Sequence, residues 1–177
     1  MRAKRLVQAL GIVATALLLE GPSTWAQSTT APPVPHDGQR DFDWMLGSWK
    51  ASLKRLVKPL TGSKEWVEFE GTQTTTSIWG GRGIMDEFVV QSPSGKVEGL
   101  TIRLYDPTAR QWYIYWANAT RGRMDMPPTV GRFQDGRGEF YDQELFDGRM
   151  IFVRYVWSAI TPTSAHFEQS FSEDGAF

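Results

Sequence analysis

The chain has 177 residues, 41% hydrophobic and 22% charged, enough for one domain with its own core. Its net charge of −1 falls to −3 when residues 1–26 are set aside, with 16 basic and 19 acidic residues left; that balance leaves no electrostatic footprint for nucleic acid or an anionic lipid surface. The absence of cysteine excludes disulfides, zinc thiolates, iron–sulfur clusters, thiol nucleophiles and a lipidated N-terminal cysteine.

Met1 to Arg5 form a positive n-region, and Leu6 to Leu19 an apolar stretch that ends at Glu20. Gly21-Pro22 then breaks the helix, and Thr24-Trp25-Ala26 places small residues at the −3 and −1 positions of a cleavage site. That order predicts a secretory signal peptide over 1–26, hence a periplasmic or secreted protein with no stable membrane anchor after cleavage; an uncleaved anchor would need roughly 20 apolar residues. Residues 27–40 are rich in Ser, Thr and Pro without hydrophobic period, which predicts a disordered linker containing a solvated His36.

From Asp41 the pattern changes. Asp41 to Leu46 reads as one helical turn capped by an Asp, followed by short alternating runs at intervals of about ten residues. Strands are predicted near 48–56, 64–78, 84–91, 97–105, 111–118, 129–134, 137–142, 149–158 and 164–172. Ser92-Pro93-Ser94-Gly95, Asp106-Pro107-Thr108, Asp135-Gly136 and Asp147-Gly148 supply the fixed φ, or the tolerance of positive φ, that tight turns need. Short turns join antiparallel neighbours, and no helical run long enough for a βαβ crossover intervenes. The expectation is an all-β domain over 41–177: an antiparallel up-and-down barrel of about nine or ten strands. Trp112 to Trp116 and Met150 to Trp157 are apolar or aromatic on both alternating faces, which predicts a lined interior together with an exterior that is aromatic or covered.

Gly47-Ser48-Trp49, opening the first strand after a helical turn, matches the G-x-W signature of lipocalins and other calycins. With Phe42-Asp43-Trp44-Met45-Leu46 before it, Gly80-Gly81-Arg82-Gly83-Ile84-Met85-Asp86-Glu87, Arg103-Leu104-Tyr105-Asp106-Pro107, Trp112-Tyr113-Ile114-Tyr115-Trp116, Val130-Gly131-Arg132-Phe133 and Phe167-Glu168-Gln169-Ser170-Phe171 after it, the chain resembles a bacterial family of lipocalin-like domains of unknown function. The resemblance covers almost all of 41–177. It implies a calycin barrel with Trp49 plugging the closed end, and a Trp-rich closing strand beyond Phe177, so that this copy is C-terminally truncated. It carries over no catalytic residue.

Gly80-Gly81-Arg82-Gly83 lacks the Lys-Ser/Thr and the helix of a phosphate loop and reads as a glycine turn. Asn118-Ala119-Thr120 fits a glycosylation sequon that is incidental in a bacterial-type chain. There is no G-x-S-x-G elbow, and His166 is the one histidine inside the domain. It could ligate haem, as in nitrobindin-like barrels, but no cofactor is expected. Glu87, Arg103, Arg154 and Glu168 interrupt apolar strands, where a buried charge must be paired or meet a ligand; alternation leaves open whether each points inward. If inward, Tyr115 would complete the pocket. The leading expectation is a protein binding a small amphipathic molecule through Trp49, Glu87, Arg103, Tyr115, Arg154 and Glu168. The alternatives are a barrel-cavity enzyme with Glu87 or Glu168 as general acid or base, the haem-binding barrel, and a module whose aromatic exterior docks a partner.

Overall fold

The computed structural model describes residues 36–92 and 95–177. The predicted signal peptide, the linker up to Pro35, and Pro93-Ser94 of the first turn lie outside the described residues. The strands are β1 (Gly47–Leu56), β2 (Trp66–Ile78), β3 (Gly83–Ser92), β4 (Gly95–Asp106), β5 (Gln111–Asn118), β6 (Arg123–Met124), β7 (Thr129–Gln134), β8 (Arg137–Phe146), β9 (Arg149–Ser158) and β10 (His166–Ser172). They form one antiparallel sheet curled into an open barrel, and no helix among the described residues is long and apolar enough to cross a membrane. Each strand lies beside its neighbour in the chain; the exception is the two-residue β6, which pairs with the end of β5 and leaves the rest of β5 to β7. β1 and β10 stand at the two ends of the strand order.

The turn chemistry explains the meander. Asp135-Gly136 and Asp147-Gly148 hold φ of 52° and 76°, and of 48° and 78°, the left-handed pair that matches a hairpin turn to the twist of its strands. The second turn fixes Phe146 opposite Arg149, and so Asp142 opposite Val153 and Phe140 opposite Tyr155. Two glycines permit close approach. A Cβ at Gly131 would lie 1.9 Å from the Glu139 carbonyl oxygen across β7–β8, and one at Gly99 would lie 1.8 Å from the Trp116 indole.

The concave face carries the core. Ile84, Tyr105, Trp112, Ile114, Phe140 and Trp157 converge there on Phe42 and Met45 of the turn before β1. Phe42 is wholly inaccessible, with the rings of Phe133, Trp112, Trp157 and Phe140 at 4.8–5.6 Å, three of them edge-on. Edge-to-face rings add to the stabilisation from area burial. The plugging role expected of Trp49 therefore belongs to Phe42: Trp49 is half-buried, donating from its indole nitrogen to the Met45 carbonyl at 2.7 Å and meeting Trp44 edge-on.

The turn itself departs from expectation. The helical stretch is a 3-10 turn over Asp43–Met45, with no side-chain cap. Asp41 does not cap it, because its carboxylate turns away to His36 at 2.8 Å. Folded structure also reaches back into the segment read as linker. The Asp37 carbonyl accepts from the Tyr105 hydroxyl and the Gly38 carbonyl accepts from the Trp112 indole at 2.9 Å. Those two bonds satisfy polar tips that burial of the rings would otherwise strand.

The apolar outer face of β9 is covered by the residues that follow β10. Phe177 lies 6.2 Å from Tyr141 and beneath the Arg154 guanidinium at 4.7 Å, Gly175 lies against Phe152, and Glu173 pairs with Arg149.

Because Phe42 fills the centre of the ring cluster, Phe42→Ala should destabilise the domain by about 3–5 kcal/mol. Urea unfolding followed by tryptophan fluorescence measures this, and a loss under about 1 kcal/mol would show that the plug is dispensable.

Candidate functional site

Alternation along β3 decides which carboxylate enters the interior. Ile84, Asp86, Phe88 and Val90 share the concave face, while Met85, Glu87, Val89 and Gln91 face outward. Asp86 is 2% exposed and Glu87 is exposed. On β4 the inward set is Thr101, Arg103 and Tyr105, all buried, and Thr75 on β2 and Thr101 flank Asp86 directly. Arg103, 4% exposed, donates from Nη1 to Asp86 Oδ1. Its guanidinium also lies over the rings of Phe42 and Trp157, at 5.1 and 5.7 Å. Burial pushes it down to about 9, which leaves it charged at neutral pH. A buried pair of this kind is required once either member is present, because the survivor would be an uncompensated charge.

A second polar group faces the same interior from β7, β8 and β9. Thr129 is buried and donates to Asp142 Oδ2 at 2.5 Å. The Tyr155 phenol is pushed up to about 12, mainly by burial and next by the Asp142 charge. Asp142 and Glu144, two positions apart on β8, share the concave face. Burial raises both carboxyls, and for Glu144 the neighbouring charges of Asp142 and Asp125 add to the effect while Arg121 opposes it. Two atoms of this interior are shut off from solvent without a hydrogen-bond partner: Arg103 Nε, a donor, and Asp142 Oδ1, an acceptor.

The six residues singled out from the sequence therefore separate. Arg103 and Trp49 lie on the concave face. Glu87, Tyr115, Arg154 and Glu168 do not join them. Glu87 is one position out of phase with Asp86. Tyr115 sits opposite Ile102 on the outer face, in phase with Tyr113 and out of phase with Trp112 and Ile114. Arg154 faces Tyr141 and Ser170 on the outside, over Phe177, with its Nε buried and unbonded. Glu168 is exposed on the outer face of β10, 3.9 Å from His166. His166 shares that outward parity, so the histidine of the alternative haem reading faces away from the interior.

The residues missed were Asp86, Thr129, Asp142, Glu144 and Tyr155. For Asp86 a signal existed, since Ile84, Phe88 and Val90 make the more apolar of the two faces of β3. For Asp142 and Glu144 neither face of β8 is clearly the apolar one, and only the register fixed by Asp147-Gly148 turns them inward.

A separate cavity of about 340 Å³ lies beside the N-terminal turn, lined by Asp41, Tyr105, Arg110, Trp112, Arg132 and Phe133 among others. It borders the ring cluster through Tyr105, Trp112 and Phe133, and none of Asp86, Asp142 and Glu144 lines it. No model of a known protein family matches the chain, and no curated protein matches it.

Arg103→Met should cost about 3–5 kcal/mol by stranding Asp86, and adding Asp86→Leu should recover most of that loss. Denaturant unfolding of the two single variants and the double variant measures the coupling; simple additivity would show that the pair is not a unit.

A carboxyl with a raised folded pKa holds its proton more tightly in the folded chain, so it costs stability at neutral pH and less as pH falls into the window between folded and unfolded values. Asp142→Asn with Glu144→Gln should therefore melt above wild type at neutral pH, by about 2 °C or more. The gap should narrow towards pH of about 4, the ordinary carboxylate range. Scanning calorimetry across that range checks the sign.

Proposed function

We propose that the chain is a secreted or periplasmic small-molecule-binding protein, related to the lipocalin-like family its motifs resemble, that holds an amphipathic ligand on the concave face of its open barrel. The observation that carries this reading is the polar interior. Arg103, Asp86 and Thr129 are buried and Asp142 and Tyr155 half-buried on the concave face, and two of their atoms lack any protein partner. Buried polar groups are ordinarily satisfied, and pockets that orient a ligand place a few polar groups on apolar walls. A continuous aromatic wall is available beside them: Tyr155, Trp157 and Phe167 lie at ring separations of 4.7–6.1 Å, and Phe167 is 46% exposed.

The enzyme reading loses Glu87 and Glu168, which face outward, and any acid–base chemistry of the interior would fall to Asp142, whose carboxyl is raised by burial. The hydroxyl that meets it is that of Thr129, which is buried against Asp142, so binding is the stronger reading.

Native mass spectrometry of the exported full chain, with an absorption spectrum, tests the proposal. The expected result is a polypeptide beginning at Gln27, carrying a co-purified small molecule and showing no Soret band. A polypeptide that retains Met1 overturns the export reading, and a ligand-free spectrum together with no binding of amphipathic probes overturns the binding reading.

A further inference from the structure

We propose that the cavity beside the N-terminal turn is a second binding site, one that takes a small monocarboxylate with an apolar body, its carboxylate held by Arg110 and Arg132. The site is separate from the concave face, and the inference does not depend on what that face binds.

The two arginines reach the cavity from different elements, Arg110 from the turn between β4 and β5 and Arg132 from β7. Both are exposed, and neither has an ion-pair, hydrogen-bond or ring partner among the described residues. Arg40, Arg103, Arg121, Arg137 and Arg149, by contrast, are each paired with a carboxylate. The acceptors that the register and the turn set beside the two free cations are already engaged. Glu139 stands opposite Arg132 in the β7–β8 ladder, yet its two oxygens take Arg137 Nε at 2.6 Å and the Tyr141 hydroxyl at 2.7 Å. Asp106 opens the turn that carries Arg110, and its Oδ1 accepts from the backbone N–H groups of Thr108 and Ala109 at 2.8 and 3.1 Å. Two guanidinium groups with uncommitted donors lining one cavity are complemented by an anion from outside the chain.

The rest of the lining sets the charge and the body of that anion. Asp37 and Asp41, from the segment before β1, border the same cavity. Asp41 is bonded to His36 at 2.8 Å, and Asp37 Oδ1 accepts from the Gln39 N–H at 2.9 Å. Both acids are thus occupied as acceptors, but their charge remains and opposes a dianion more than a monoanion. That favours a carboxylate over a phosphate monoester. Phe133, Tyr105 and Trp112 give the cavity an aromatic wall, of which Phe133 is the most accessible member. Its volume of about 340 Å³ stands at the small end of ligand pockets and suits a single ring beside the carboxylate.

Calorimetric titration of the full chain at neutral pH compares phenylacetate, phenylacetamide, phenethylamine and phenyl phosphate. Phenylacetate should bind tightest, by about tenfold or more over the amide and the amine. Arg110→Gln with Arg132→Gln should weaken phenylacetate binding by about tenfold or more and leave the melting temperature unchanged, since neither side chain has a partner in the fold. Should the double variant fail to fold, the two single variants take its place, each expected to lose part of the affinity. Phenylacetamide binding as tightly as phenylacetate overturns the inference. So does phenylacetate affinity that survives the arginine substitutions, which would put the carboxylate elsewhere on the protein. Phenyl phosphate binding tighter than phenylacetate overturns the assignment to a monoanion. No binding by any probe up to about 10 mM overturns the site and leaves the concave-face reading standing.

Discussion

The Arg103 side chain is only 4% exposed, and the interior is arranged around that burial. Asp86 on β3 balances its charge, Phe42 before β1 covers one side of it, and Trp157 on β9 meets it from the far end of the sheet. The contact ties together parts of the chain that the strand order keeps apart. A cation over desolvated aromatic faces gains more than it would at a surface, and the ring cluster excludes water from the pair. The cost of burying the charge is thus offset by the same groups that shape the plug. Removing any one leaves the others exposed to a penalty that packing alone would not impose.

The second polar group differs in kind. Asp142 and Glu144 have no such partner, and both carboxyls are raised by burial. Its side-chain bond between strands runs from Thr129 on β7 to Asp142 on β8, while the ladder between β8 and β9 is supplied by the backbone. Groups that cost stability without serving the fold are where function is sought first. Two carboxylates sharing one face of β8, with the aromatic wall of β9 and β10 alongside, give the interior a charged side and an apolar side.

The architecture was legible because turn residues and alternation act locally. Asp-Gly pairs fix hairpins, β-branched and aromatic runs fix strands, and together they predict the antiparallel meander that is observed. Which face of each strand turns inward is set by register and curvature, which are long-range. The β3 run offers both Asp86 and Glu87, and the choice between them depends on the faces that neighbouring strands present. The outward position of Arg154 and Tyr115 has the same origin: β9 and β5 are apolar on both sides, and on β9 residues after β10 cover the outer one. The binding of Asp37 and Gly38 to Tyr105 and Trp112 joins residues 68 and 74 positions apart, and nothing in a Ser/Thr/Pro-rich composition announces it.

That last contact bears on how the domain assembles. Nearly every strand pairs with its neighbour in the chain, so loop closure is cheap for each hairpin in turn and the meander can zip from any of its turns. The ring cluster around Phe42 follows a different schedule: it needs residues from the turn before β1, from β4 and β5, and from β9 at once. Local pairing can therefore run ahead, while the ring cluster closes only when the segment before the first strand meets β4, β5 and β9 together.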